Sequence, residues 1–208
     1  MASSDLVYIV DDDDAVRESL SFLCLNAGLT AQAFATPLAF LAVAGALKAG
    51  CIVTDVRMPE MDGLTLVRTL RERGIDLPMV VMTGHGDVPM AVAAMKAGAV
   101  DFLEKPFDDE VFLSTVRDAL SRDAADAGPK PGETSELDAK LALLSERERQ
   151  VLERLVEGDA NKMIAYHLGI SPRTVEIYRA KVMAKMEAAT FADLMRMVIA
   201  GRAQAAKR

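Results

Sequence analysis

The residues of this 208-residue chain with an evident chemistry are an acidic run, Asp11 to Asp14, followed by Asp55, Thr83 and Lys105. Brought to one place, the carboxylates of Asp11, Asp12 and Asp55 would repel one another. A hard divalent cation relieves that repulsion, and an all-oxygen, wet site suits Mg²⁺, or Mn²⁺ in its place. The same cation neutralises the oxygens of a transferring phosphoryl group. A carboxylate can then act as the nucleophile and become an aspartyl phosphate. The Lys105 ammonium can pair with the phosphoryl oxygens, and the Thr83 hydroxyl can donate to another.

Such a site needs elements that carry distant residues to one edge. Short β-type runs at Leu6–Val10, Thr30–Phe34, Ile52–Thr54, Met79–Thr83 and Val100–Leu103 alternate with helical patterns. The first helix places Val16, Leu20, Leu23 and Ala27 on one face and stops at Gly28. The second opens on Thr36-Pro37, a cap followed by proline at the first helical position. The third carries Leu66, Val67 and Leu70 and stops at Gly74. The fourth covers Val88 to Ala97 and the fifth Asp109 to Arg122. Five strands alternating with five helices predict an α/β unit with a doubly wound parallel sheet. Ligands of open parallel sheets bind beyond the carboxyl ends of the strands. Asp11 and Asp12 follow the first strand, Asp55 the third, Thr83 the fourth and Lys105 the fifth. Asp13 and Asp14 read as the cap and first turn of the next helix, outside the site. His85, close after Thr83, reads as a solvated loop residue or one that modulates hydrolysis.

Residues 123–137 are small and polar, with Gly128-Pro129 and Pro131-Gly132, a linker composition. Beyond it only helices are predicted. Ser145 and Glu148 have capping-box spacing before an apolar stripe of Val151, Leu152, Leu155 and Val156, closed by Gly158. A short helix runs from Asn161 to Leu168, Ser171-Pro172 opens a third, and Thr190 caps a fourth. The expected division is 1–122, 123–140 and 141–208. Charge divides similarly. Residues 1–124 carry 10 Lys and Arg against 19 Asp and Glu, whereas residues 138–208 carry 13 against 9. A basic half suits a polyanion. No apolar run reaches the ~18 residues of a membrane span, and Met1 to Asp5 lack the basic-then-apolar layout expected of a signal peptide. Cys24 and Cys51, in apolar runs without ligand spacing, read as reduced core residues of a cytoplasmic protein.

The runs YIVDDDDAVR, VTDVRMPEMDG, VMTGHGD and VDFLEKPF, with Pro59 four residues and Gly63 eight residues after Asp55, resemble the receiver domain of response regulators over residues 5–122. The resemblance implies a flavodoxin-like fold with Asp55 as phosphoacceptor. It implies a metal bound directly by Asp12 and Asp55, by Asp11 through water, and by the backbone carbonyl of Arg57. Lys105-Pro106 would be a cis peptide. Thr83 and Phe102 would form the switch, Phe102 turning inward as Thr83 is drawn to the phosphoryl group. The fourth helix and fifth strand would form a phosphorylation-induced homodimer face. A haloacid-dehalogenase-type phosphatase is the rival aspartyl-phosphate chemistry, but the D-x-D-x-T/V pattern it requires after the first strand is missing.

The segment from LSERERQVLERLVEG to ISPRTVEIYRAKVMAKM resembles the LuxR-type helix-turn-helix over residues 143–201. On the helical wheel Val175, Tyr178, Val182 and Met186 face inward. Ile177 falls outside, where an apolar side chain fits a thymine methyl. The second helix of such a motif enters the major groove of double-stranded DNA. Arg173, Glu176, Ile177 and Ala180 are therefore the candidate base readers. Lys162, Thr174, Arg179, Lys181 and Lys185 are the candidate phosphate contacts. Arg179 is the weakest of these, because it lies toward the core side of the wheel. Both halves together resemble the FixJ subfamily. That implies a transcription regulator and not a metabolic enzyme, although the receiver would catalyse its own phosphotransfer and dephosphorylation. It also implies a sensor histidine kinase, promoter DNA and a second copy of the chain as partners, with RNA polymerase as a further one and no membrane. A helical protein-binding output domain is the alternative for the second half.

Overall fold

The computed structural model describes residues 5–84, 88–121 and 133–205. Five strands, β1 (Leu6–Val10), β2 (Thr30–Phe34), β3 (Cys51–Asp55), β4 (Met79–Thr83) and β5 (Asp101–Glu104), alternate with α1 (Asp14–Asn26), α2 (Pro37–Ala44), α3 (Gly63–Glu72), α4 (Val88–Ala97) and α5 (Asp109–Leu120). All neighbouring strands are parallel, in the order β2-β1-β3-β4-β5. The order reverses between β1 and β3, which opens a crevice at their carboxyl ends.

The central strands read as continuous apolar runs because both faces are covered. On one face Val7, Ile9, Val53, Val80 and Met82 pack with Leu20 and Cys24 of α1 and Phe112 and Val116 of α5. On the other, Phe40 of α2 is fully buried against the Tyr8 and Phe34 rings, at 5.8 and 5.2 Å between centroids. Both cysteines are fully buried and unpaired. Burial pushes the Cys24 thiol up to about 11 and the Cys51 thiol higher still.

Three elements have bounds that differ from expectation. β3 extends one residue at each end, to Cys51 and Asp55. β5 is displaced by one residue. The Val100 N–H bonds to Met79, but side-by-side pairing starts only at Asp101 opposite Val80. α5 ends at Leu120, and Arg122 lies outside the described residues, as do His85 and both Gly-Pro pairs of the linker.

The second part is helical: α6 (Glu133–Ala142), α7 (Glu146–Glu157), α8 (Asn161–Leu168), α9 (Pro172–Met186) and α10 (Phe191–Ala205). Most of α6 lies in the stretch 123–140 expected to join the two halves. α6 packs against α9 and α10, so tertiary contact supports a helix that local composition does not announce. The predicted capping box of α7 is complete. Ser145 N–H donates to Glu148 Oε2 at 2.7 Å, and Glu148 N–H to Ser145 Oγ at 3.4 Å. The Thr190 cap of α10 forms likewise with Asp193. Val151, Leu155, Ile164, Val175, Val182, Met186 and Leu194 are fully buried and make this unit's core. Each contributes about 2 kcal/mol of apolar burial. Among the described residues, no helix is long and apolar enough to cross a membrane.

Candidate functional site

The carboxyl ends of β1, β3, β4 and β5 bring the acidic pair, Asp55, Thr83 and Lys105 to one edge, as their spacing predicts. Lys105 Nζ donates to Asp55 Oδ1 at 2.5 Å and to Asp11 Oδ2 at 3.2 Å. The second Asp55 oxygen accepts the Arg57 backbone N–H at 2.5 Å. Asp11 is only 2% exposed, and its other oxygen accepts the Asp13 N–H at 2.9 Å. Asp12 stands exposed beside it and Thr83 is buried at the end of β4.

Burial raises the Asp11 carboxyl above its ordinary value, with the Asp13 N–H and Lys105 working against the shift. For Lys105 burial disfavours the ammonium, but the bonds and charges of Asp55 and Asp11 outweigh it and hold the group above its usual range. Two carboxylates thus face one ammonium, and Asp12 is exposed next to Asp11 in the chain; among the described residues no three such side chains are already grouped to hold a metal ion. This excess of hard oxygen donors fits a divalent cation. Such an ion would be held by Asp12, Asp55 and the Arg57 carbonyl, with Asp11 alongside, and would supply charge neutralisation for phosphoryl oxygens.

Asp13 caps α1 through the Ala15 N–H at 2.9 Å, and Asp14 in the first turn pairs with Arg17. Both stand outside the acidic site, as read from sequence. Arg17 is a supporting residue that the sequence did not single out. Its guanidinium donates to the Asp11 carbonyl at 2.7 Å. The need for glycine at Gly63 also becomes physical, since a β-carbon there would collide with the Asp55 carbonyl. Asp62 caps α3 through the Thr65 N–H at 2.6 Å, fixing the loop that follows Asp55. The Lys105-Pro106 peptide is cis. Phe102 on β5 is half-buried and lies beside Val81 of β4.

In the helical unit α9 buries Val175, Val182 and Met186 and half-buries Tyr178, the face the wheel predicts. Ile177 is 48% exposed. Arg173 and Glu176 are exposed and paired at 3.0 Å, and Lys162, Ala180 and Lys181 are exposed. Two of the expected phosphate contacts make hydrogen bonds within the unit. Arg179 donates to Asn161 Oδ1 at 3.0 Å and lies 5.0 Å from the Phe191 ring centroid. Lys185 donates to Glu148 Oε2 at 2.7 Å and to the Leu143 carbonyl at 3.0 Å. Thr174 shares a hydrogen with Ser171 Oγ at 2.8 Å at the helix start. Tyr166 of α8, absent from the sequence-based candidates, is 80% exposed.

Two family models match this chain: the response regulator receiver domain over residues 7–117 and the bacterial regulatory proteins of the luxR family over 142–198. The transcriptional regulatory protein FixJ of Azorhizobium caulinodans is 55% identical over 199 residues, covering 96% of this chain and 94% of that protein. FixJ of Rhizobium meliloti is 50% identical over 195 residues, covering 94% and 95%. The crystal structure of full-length FixJ from B. japonicum superposes with a TM-score of 0.54 at 44% identity, over 96% of this chain and 98% of that one.

Proposed function

Because the chain belongs to the response regulators, joining a receiver domain to a luxR-family output domain, we propose that Asp55 is its phosphoacceptor and a sensor histidine kinase its donor. The protein is a phosphorylation-dependent transcriptional regulator. The observation that carries the assignment to Asp55 is its bond to Lys105 at the crevice between β1 and β3.

An Asp55 oxygen attacks phosphorus of a phosphorylated imidazole. The new O–P bond forms as the P–N bond breaks, and its electron pair leaves with the ring nitrogen. Lys105, already on Asp55, pairs with the incoming phosphoryl oxygens, and the Thr83 hydroxyl donates to another. Drawing Thr83 inward gives Phe102 its cue to turn. Asp12, Asp55 and the Arg57 carbonyl would hold Mg²⁺, or Mn²⁺, with Asp11 alongside, and the ion would supply neutralising charge for the phosphoryl oxygens. The receiver catalyses both this transfer and the hydrolysis of its own acyl phosphate.

Phosphorylation favours a homodimer through α4 and β5 and places two helical units on promoter DNA. There Arg173, Glu176, Ile177 and Ala180 read bases, while Lys162, Thr174 and Lys181 hold phosphates. RNA polymerase is the further partner at the promoter, and the cytoplasm the site of action. The receiver spans 1–122 and the DNA-binding unit 141–208, with 123–140 joining them through most of α6.

The test is intact-mass analysis after incubation with acetyl phosphate and Mg²⁺. Wild type gains one phosphoryl group and Asp55→Asn gains none. Equal uptake by the variant overturns the assignment.

A further inference from the structure

Three helices of the helical unit end on a residue in the left-handed region: α7 on Gly158 (φ 96°), α8 on Gly169 (φ 65°) and α9 on Glu187 (φ 55°). That region disfavours any residue with a β-carbon, which accounts for glycine at the first two. Glu187 forgoes the relief at the end of the helix proposed to read bases. Its carboxylate meets the Lys140 ammonium of α6 at 3.0 Å, and the Lys140 side chain is only 17% exposed. Two residues earlier, Lys185 donates to the Leu143 carbonyl, just beyond α6, and to Glu148. Nearer the start of α6, Leu137 sits on Gly201 of α10, where a β-carbon would collide with it. The helix at the end of the linker therefore grips the C-terminal end of α9 while resting on α10.

We propose that the Lys140–Glu187 pair is a strut by which α6 sets the position of α9, so that changes in the linker reach the base-reading helix. Lys140 and Glu187 are positioning residues. The transmission rests on the readings of Asp55 as phosphoacceptor and α9 as DNA reader. The strut rests on geometry alone.

Glu187→Gly separates the strut from plain helix capping. Glycine relieves the left-handed conformation, so a merely structural role for Glu187 predicts equal or higher thermal stability and otherwise unchanged behaviour. The strut predicts a loosened α6 in a unit that is no less stable.

The full chain would be compared as wild type, Glu187→Gly, Lys140→Glu and the charge swap Lys140→Glu/Glu187→Lys. Amide hydrogen exchange across residues 137–143 is expected to quicken roughly two- to five-fold in the single variants, the worth of a partly exposed ion pair, and to return in the swap. Affinity for a genomic DNA fragment captured by wild type would be measured before and after acetyl phosphate treatment. The gain on phosphorylation should shrink by a similar factor in the single variants and return in the swap. Unchanged exchange in Glu187→Gly overturns the strut. Quicker exchange with an unchanged gain overturns transmission through it. A wild type that takes up no phosphoryl group overturns the Asp55 reading and the transmission with it, while the exchange result still decides the strut.

Discussion

Lys105 is the residue on which the acidic edge depends, since one ammonium serves both Asp11 and Asp55. Removing one partner of a buried charge costs more than the pair was worth, because the remaining charge stays desolvated. Lys105→Ala should therefore destabilise the α/β unit by about 2 kcal/mol in urea unfolding, and Asp11→Asn in the same background should recover part of that loss. Glu148 presents the same logic with a cleaner pH signature. The Lys185 ammonium and the Ser145 N–H lower its carboxyl from an ordinary 4.5 to about 2, against the opposing effect of burial. A depressed folded-state value means that the stabilisation is complete above the unfolded value and is lost as pH falls from 4.5 toward 2. Thermal melts of the helical unit should show that loss. Glu148→Gln should lower stability at neutral pH by about 2 kcal/mol and flatten the acid dependence. An acid profile unchanged by the substitution would place the titrating group elsewhere.

At the scale of elements, α9 divides its residues between its own core and a partner. Ile177→Ala should weaken binding to the preferred DNA sequence by about 1 kcal/mol while leaving nonspecific binding unchanged. Lys181→Ala should weaken both alike and reduce the salt slope by about one unit, as read from binding isotherms across salt. The exposed and buried faces of α9 were legible because a helical wheel fixes direction, and Ile177 and Val175 stand where it puts them. A wheel does not fix reach. Arg179 and Lys185 have stems long enough to turn back to Asn161 and Glu148, and no periodicity reveals that. Strands β1, β2 and β4 keep their predicted bounds because apolar runs bounded by helix patterns leave little choice of length. The position of β5 depends on where ladder pairing begins, a nonlocal fact. Helix α6 was hidden by the Pro- and Gly-rich residues before it, although Leu137 and Leu141, four residues apart, carried a faint helical signal. The acidic edge was the most legible feature, since strand ends convert sequence order into place. The Arg17 and Asp13 contacts that steady Asp11 depend on backbone geometry and could not be read ahead.

For the whole molecule, charge separates along the chain, with the acidic excess in residues 1–124 and the basic excess in residues 138–208. DNA affinity should therefore fall steeply with salt, as counterion release requires. The thiols give a different kind of leverage. Cys24 and Cys51 are fully buried, and their raised ionisation leaves almost no thiolate at neutral pH. A thiol reagent such as dithionitrobenzoate should react with neither in the native chain and with both in concentrated urea. Rapid native reaction would show that the core around α1 and β3 opens readily. If the prediction holds, the natural sequence is already a blank for site-directed labelling. A cysteine introduced on α6 and another on β5 would accept paired fluorophores or spin labels without removing either native cysteine. The distance between the two halves could then be followed, with both native cysteines in place, as the protein gains and loses its phosphoryl group.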